Sequence, residues 1–280
     1  MKRYLLAVAG FGLLAFVVFN FTIPPYTPRD KRVPAVICAT ESPLDGCISL
    51  LEASSEAAPE QPVVYINGIQ NDYAAHQAAL QNIQTAFHGA AITGIYNATV
   101  DIGHDLWQAM WDVVQCLSFL DFSDNPAVLS LRDQAHVYNG DLTLVGHSQG
   151  AAIISAALCD LQREDSDFDF SHLVIYTLGG AGVIFVDGPE YHHCIRASDP
   201  VGIAHLAKLV AQRIASMIIP QAYVWEAKVT VLPPAPNVTG AEFLPATFNP
   251  NLIDFVLRQH DLRRYLDECM AATADNASIH

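Results

Sequence analysis

The sequence predicts an α/β fold: a mostly parallel central sheet with helices on both faces, preceded by an N-terminal hydrophobic helix. Three observations carry this. Short apolar, β-branched runs alternate with stretches of helical spacing from PVVYINGIQ onward. One such run passes through a glycine-flanked serine directly into an alanine-rich helix. About half of the 280 residues (51%) are hydrophobic, enough for one sizeable core.

At the start, Lys2 and Arg3 precede the apolar run YLLAVAGFGLLAFVVF, Tyr4 to Phe19. With Phe21 to Ile23 included, the segment approaches the ~20 residues needed to span a bilayer. It ends in Phe19-Asn20-Phe21 and Pro24-Pro25, not in the small residues of a cleavage site. Residues 1–23 therefore read as a membrane anchor ahead of a cleaved secretory signal. Either reading puts the body of the chain outside the cytoplasm, in a periplasmic, lumenal or extracellular setting, although Arg29, Lys31 and Arg32 weaken the charge asymmetry. Residues 24–61, rich in Pro, Ser, Glu and Ala, read as a linker or lead-in, and residues 62–275 as one domain.

Within that domain VVYIN is the first strand, and DYAAHQAALQNIQTAF has helical spacing. AITGIYN is a strand and HDLWQAMWDVVQCLSFL an amphipathic helix with Trp107 and Trp111 on one face. Asn125 and Pro126 open the helix NPAVLSLRDQAHVYN as cap and first residue. SHLVIYTLGG, YHHCIRAS and AYVWEAKVTVL are further strands, GIAHLAKLVAQRIASMI is a helix, and NLIDFVLRQHDLRRYLDECM closes the chain with a short one.

The formal net charge of −15, from 29 acidic against 14 basic residues, comes without a basic cluster in the body of the chain. A nucleic-acid partner is thereby disfavoured, because phosphate binding needs concentrated cationic surface. Of six cysteines, Cys38 and Cys47 bracket a short turn and are the expected disulfide, with two reduced thiols as the alternative. Cys116 and Cys159 lie in apolar helical patterns and are expected as buried free thiols. No cysteine or histidine spacing suggests a metal site. Sequons stand at Asn97, Asn237 and Asn276.

The chemistry concentrates in LTLVGHSQGAAIISAAL, Leu142 to Leu158. A serine on a tight strand-to-helix turn is forced into a strained conformation that exposes its hydroxyl, and bulky neighbours two residues away would collide. Gly146 and Gly150 meet that steric demand around Ser148. A serine hydroxyl needs a base, and the base an acid to orient it. The glycine-flanked serine between strand and helix resembles the elbow of α/β-hydrolases, and that resemblance implies that the acid comes next along the chain and the histidine last. Asp199 follows the strand YHHCIRAS directly, whereas its rival Asp187 precedes that strand; the alternative role for Asp199 is a helix cap. After Asp199 only His205, His260 and His280 remain. His205 falls inside a helix and His280 is terminal, so His260 is the candidate base, with Asp261 more suited to capping the last helix. Developing negative charge would be met by the backbone N–H of Gln149 and by that of Ile69, in the loop Asn67-Gly68-Ile69-Gln70.

INGIQ, VGHSQGA, RASDPVG and QHDLRRYL, taken together, resemble lipase- or esterase-like α/β-hydrolases from about Val63 onward, and the GHSQG elbow is similar to that of cutinases. The chain is longer than a minimal cutinase. The resemblance implies a small-molecule or lipid ester as substrate, an acyl-enzyme on Ser148, proton relay by His260, orientation by Asp199, and no cofactor. Acyl transfer by the same triad, and a non-catalytic binding protein on the same fold, are the competing functions. Trp107, Trp111, Phe119 and Phe122 could form an apolar cap or pack in the core, and residues 229–251 are a second candidate cover.

Overall fold

Runs such as Val63–Ile66 and Leu142–His147 are buried along their whole length, which is stable only where helices cover both faces of a sheet. The computed structural model describes residues 36–39, 43–54, 61–69, 71–98, 125–138, 140–180, 186–196, 199, 227–232, 262–263 and 265–269. They all belong to one compact unit, Arg32–His280. The Trp107–Trp111 helix, the helix expected at 202–218 and the loop from 233 to 251 lie outside the described residues.

Seven strands form one sheet: β1 (Ile48–Leu51), β2 (Val63–Ile66), β3 (Ile92–Ile95), β4 (Leu142–His147), β5 (Leu173–Leu178), β6 (Glu190–Arg196) and β7 (Ala227–Leu232). Their order is β1-β3-β2-β4-β5-β6-β7, and every neighbouring pair is parallel except β1 against β3. Parallel neighbours require crossovers. The helix α1 (Tyr73–Ala86) joins β2 to β3, α2 (Pro126–Val137) precedes β4, and α3 (Gln149–Glu164) joins β4 to β5. Asp72 starts α1 by accepting the Ala75 N–H at 2.7 Å. Asn125 starts α2 by accepting the Ala127 N–H at 2.9 Å, with Pro126 in the first turn as the sequence indicates.

Side chains alternate between two cores. Val64, Ile66, Leu144 and Ile175 pack with α2 and α3, while Val63, Tyr65, Val145 and Leu178 pack with α1 and with Tyr265 and Leu266 of the C-terminal helical residues. The expected mostly parallel sheet with helices on both faces is thus observed.

Two sequence expectations need correction, and a third falls outside the described residues. The lead-in 24–61 is not only a linker: β1 lies within it, pairs antiparallel with β3, and buries Cys47 and Ile48. Four residues, only two of them buried, give too little periodicity to be read. Cys38 and Cys47 are bonded as expected, with Cα atoms 5.0 Å apart. Cys159, however, is not a thiol but a disulfide partner, and Cys194 is bonded to Cys269 across 75 residues. An apolar pattern marks burial, and burial suits a half-cystine as well as a thiol. The N-terminal run 1–23 lies outside the described residues, among which no helix is long and apolar enough to cross a membrane.

Candidate active site

Ser148 stands between β4 and α3 with φ 56° and ψ −121°. A non-glycine residue held there costs on the order of 1–3 kcal/mol and persists only when its surroundings over-determine it. They do so here. The Ser148 N–H donates to the Leu178 carbonyl at 3.1 Å, and the Ser148 carbonyl accepts the Ala151 N–H at 3.2 Å. A Cβ on Gly146 would lie 2.7 Å from the Ala151 nitrogen, and one on Gly150 would run into the Ile66 carbonyl. The two glycines let the turn close and let α3 nest against the end of β2. This is the strained elbow that the pentapeptide implied.

The loop after β2 packs directly on the serine. A Cβ on Gly68 would lie 2.5 Å from Ser148 Cβ and 3.1 Å from its Oγ. Asn67 fixes the loop: its Nδ2 donates to the Asn97 carbonyl at 2.8 Å and to the Gly68 carbonyl at 3.0 Å, and its Oδ1 accepts the Asn97 N–H at 2.9 Å. Asn97 Nδ2 in turn donates to Gln149 Oε1 at 3.0 Å. Further out, Asn71 Nδ2 donates to the Gly68 carbonyl at 3.0 Å and the Ile69 carbonyl at 3.2 Å. Gln149 stands in the first turn of α3, where N–H groups are not used by the helix's own ladder. Asn97 is 1% exposed and its amide is engaged, so this sequon is no glycan acceptor in the folded chain. Asn237 and Asn276 lie outside the described residues.

Asp199 is fully buried just past the end of β6. β4 and β6 are separated only by β5, so the two strand ends are about 10 Å apart at the usual strand spacing. Tyr265 donates to Asp199 Oδ2 at 2.6 Å, and its ring centroid is 6.4 Å from that of His147, the residue before Ser148. Asp187 stands before β6, at the opposite end of the strand, where its Oδ1 accepts the Gly188 N–H at 3.1 Å. His260 lies outside the described residues, as do His205 and His280. Leu262, the first described residue after β7, is helical.

No protein-family model and no curated protein matches the chain. Solved structures do. A carboxylesterase from Mesorhizobium loti is 12% identical, the match covering 75% of this chain and 91% of that one, with a TM-score of 0.39. An esterase from Pyrobaculum calidifontis is 13% identical over 80% of each chain, TM-score 0.40. A dienelactone hydrolase from Anabaena variabilis is 14% identical over 66% and 79%, TM-score 0.40. Scores this low carry no argument about the chain; the strand order and the parallel pairing establish its class. The chain has an α/β fold on a seven-stranded, mostly parallel sheet.

Sequence reasoning assigned no role to Tyr265 and named Asn97 only as a sequon and Asn67 only as a member of the loop after β2. Both asparagines end an apolar strand, in YIN and IYN, and a polar residue closing a buried parallel strand was the available signal. Tyr265 carried none, since its role depends on a contact across 66 residues.

Proposed function

We propose that the chain hydrolyses carboxylic esters through an acyl-enzyme on Ser148. The observation that supports this best is the Ser148 backbone, strained at the C-terminal end of a central strand and backed by the Gly68 loop. Ser148 Oγ attacks the ester carbonyl while His260 takes its proton. Asp199 orients the imidazole and stabilises it as imidazolium. The N–H groups of Gln149 and Ile69 receive the charge of the tetrahedral intermediate. Its collapse breaks the C–O bond, and His260 returns the proton to the departing alcohol. Water, deprotonated by His260, then attacks the acyl carbonyl; the Oγ–C bond breaks, His260 returns the proton to Ser148 Oγ, and the acid is released.

The disulfides fit an oxidising compartment. Together with the N-terminal run they support a protein anchored by residues 1–23 with its α/β domain outside the cytoplasm. Extraction of native membranes with alkaline carbonate tests the anchor: the protein should stay with the pellet, and release into the supernatant would count against it.

A series of p-nitrophenyl esters of increasing acyl length, applied to the full chain in detergent, tests the reaction and ranks the substrates. Free acid should equal p-nitrophenol released. An acylated acceptor exceeding free acid would replace hydrolysis by acyl transfer.

A further inference from the structure

Asp199 has a partner on the last helical residues of the chain. The Tyr265 phenol donates to Asp199 Oδ2 at 2.6 Å and accepts the Arg196 N–H at 3.2 Å. Both Asp199 and Tyr265 are fully buried. The same residues are joined to β6 three more times: Cys269 is bonded to Cys194, Glu268 pairs with the Arg196 guanidinium at 3.1 Å, and that guanidinium lies 5.3 Å from the centre of the Tyr265 ring. A hydroxyl donating to a carboxylate at this distance is a charge-assisted bond. Burial, then the charge of Asp199 and the bond to it, raise the phenol's pKa, with the Arg196 N–H and charge opposing, so Tyr265 stays protonated and remains a donor at any working pH.

We propose that Tyr265 is a positioning residue of the reaction: it holds Asp199 by Oδ2 so that Oδ1 is turned toward the base. The inference rests on the Ser148, Asp199 and His260 reading above. Tyr265 acts only through Asp199. Tyr265 stands five residues after His260 in the chain, so the residue that clamps the acid covalently follows the base. By drawing charge from the carboxylate, the phenol also moderates how strongly Asp199 holds a neighbouring imidazolium. Among the described residues, the charged or titratable groups that bear on this pair include Arg196 from β6, Glu268 from the same helical residues and His147 from β4.

Tyr265→Phe removes one oxygen and keeps the ring. Its kcat should fall roughly tenfold with KM within about twofold, the loss expected for a charge-assisted bond. The acid limb of its kcat/KM profile should move up by about half a unit, because a carboxylate relieved of its donor holds the imidazolium more tightly. 3-Fluorotyrosine placed at 265 is a stronger donor of nearly the same size and should move that limb down. If Tyr265→Phe fails to fold, judged by its far-ultraviolet dichroism and Tm, the fluorinated residue carries the test alone. An unmoved limb in the folded variants overturns the proposal, as does a change confined to KM or Tm. Ser148→Ala runs alongside. Should it hydrolyse ester like wild type, the catalytic reading fails and this role with it; should it be inactive while the position 265 variants match wild type, only the role of Tyr265 fails.

Discussion

Replacing Gly68 with alanine would drive one methyl group into Ser148. The new Cβ would meet Ser148 Cβ at 2.5 Å, the His147 carbonyl at 3.0 Å and Ser148 Oγ at 3.1 Å. Non-bonded carbons rest at about 3.5–4.0 Å, so the loop and the serine must part by roughly 1 Å. The strained turn has little freedom to yield, being tied to Leu178 and Ala151, so most of the movement falls on the loop that carries Ile69. A displacement of about 1 Å between reacting groups costs on the order of 100-fold in rate, or about 2.7 kcal/mol. Overpacking should add a stability loss of about 1–3 kcal/mol, a Tm lower by several degrees. The assay is kcat/KM for p-nitrophenyl butyrate beside the second-order rate of fluorophosphonate inactivation, both measured on folded protein. Gly140→Ala is the control, since a Cβ there meets nothing within 4 Å. A folded Gly68→Ala within about twofold of wild type on both rates would refute the close packing of loop on serine and the oxyanion role assigned to it.

His76 is buried among Tyr65, Tyr73 and Tyr96, with neither ring nitrogen hydrogen-bonded among the described residues, and burial lowers its pKa to about 4. The unfolded chain binds this proton near pH 6.5 and the folded one does not, so the stability His76 confers above that pH is lost as pH falls toward 4. The loss amounts to about 3 kcal/mol. His76→Leu should flatten that decline in urea unfolding at pH 7 and pH 4; parallel pH dependences would show the histidine is not the cause. Asn67→Ala strips partners from the buried N–H and carbonyl of Asn97, so it should cost about 3 kcal/mol by urea unfolding and slow fluorophosphonate labelling; unchanged labelling would separate this network from the site. Loop-closure entropy ranks the disulfides. Removing Cys194–Cys269, which closes 75 residues, should cost about 4.5 kcal/mol against about 2.6 for Cys38–Cys47 with its separation of 9, and equal losses in denaturant titrations of the two double serine variants would contradict it.

What was legible in the sequence was local or rhythmic. Alternating apolar runs specified the parallel sheet, Asn125 marked a helix start, and glycines two residues either side of Ser148 stated a steric requirement that the turn then displays. Chain order alone placed Asp199 past a strand on the elbow's side of the sheet. β1 escaped notice because it is short, only half buried, and defined by an antiparallel partner some 44 residues away: Ile48 faces Ile95, Leu51 faces Ile92. The Asn67–Asn97–Gln149 chain and the Tyr265–Asp199 bond escaped because each joins residues from different strands and helices. No periodicity encodes such pairings; they exist only once the sheet order is known.

The central claim is that Ser148 is the nucleophile. The most direct measurement is peptide mapping by mass spectrometry after titration of the full chain with a fluorophosphonate, with ester hydrolysis followed on the same samples. A single adduct on Ser148, growing in step with loss of hydrolysis and absent from an inactive Ser148→Ala, is the predicted result. Hydrolysis that survives complete labelling of Ser148, or an adduct on another residue that accounts for the inhibition, would contradict it.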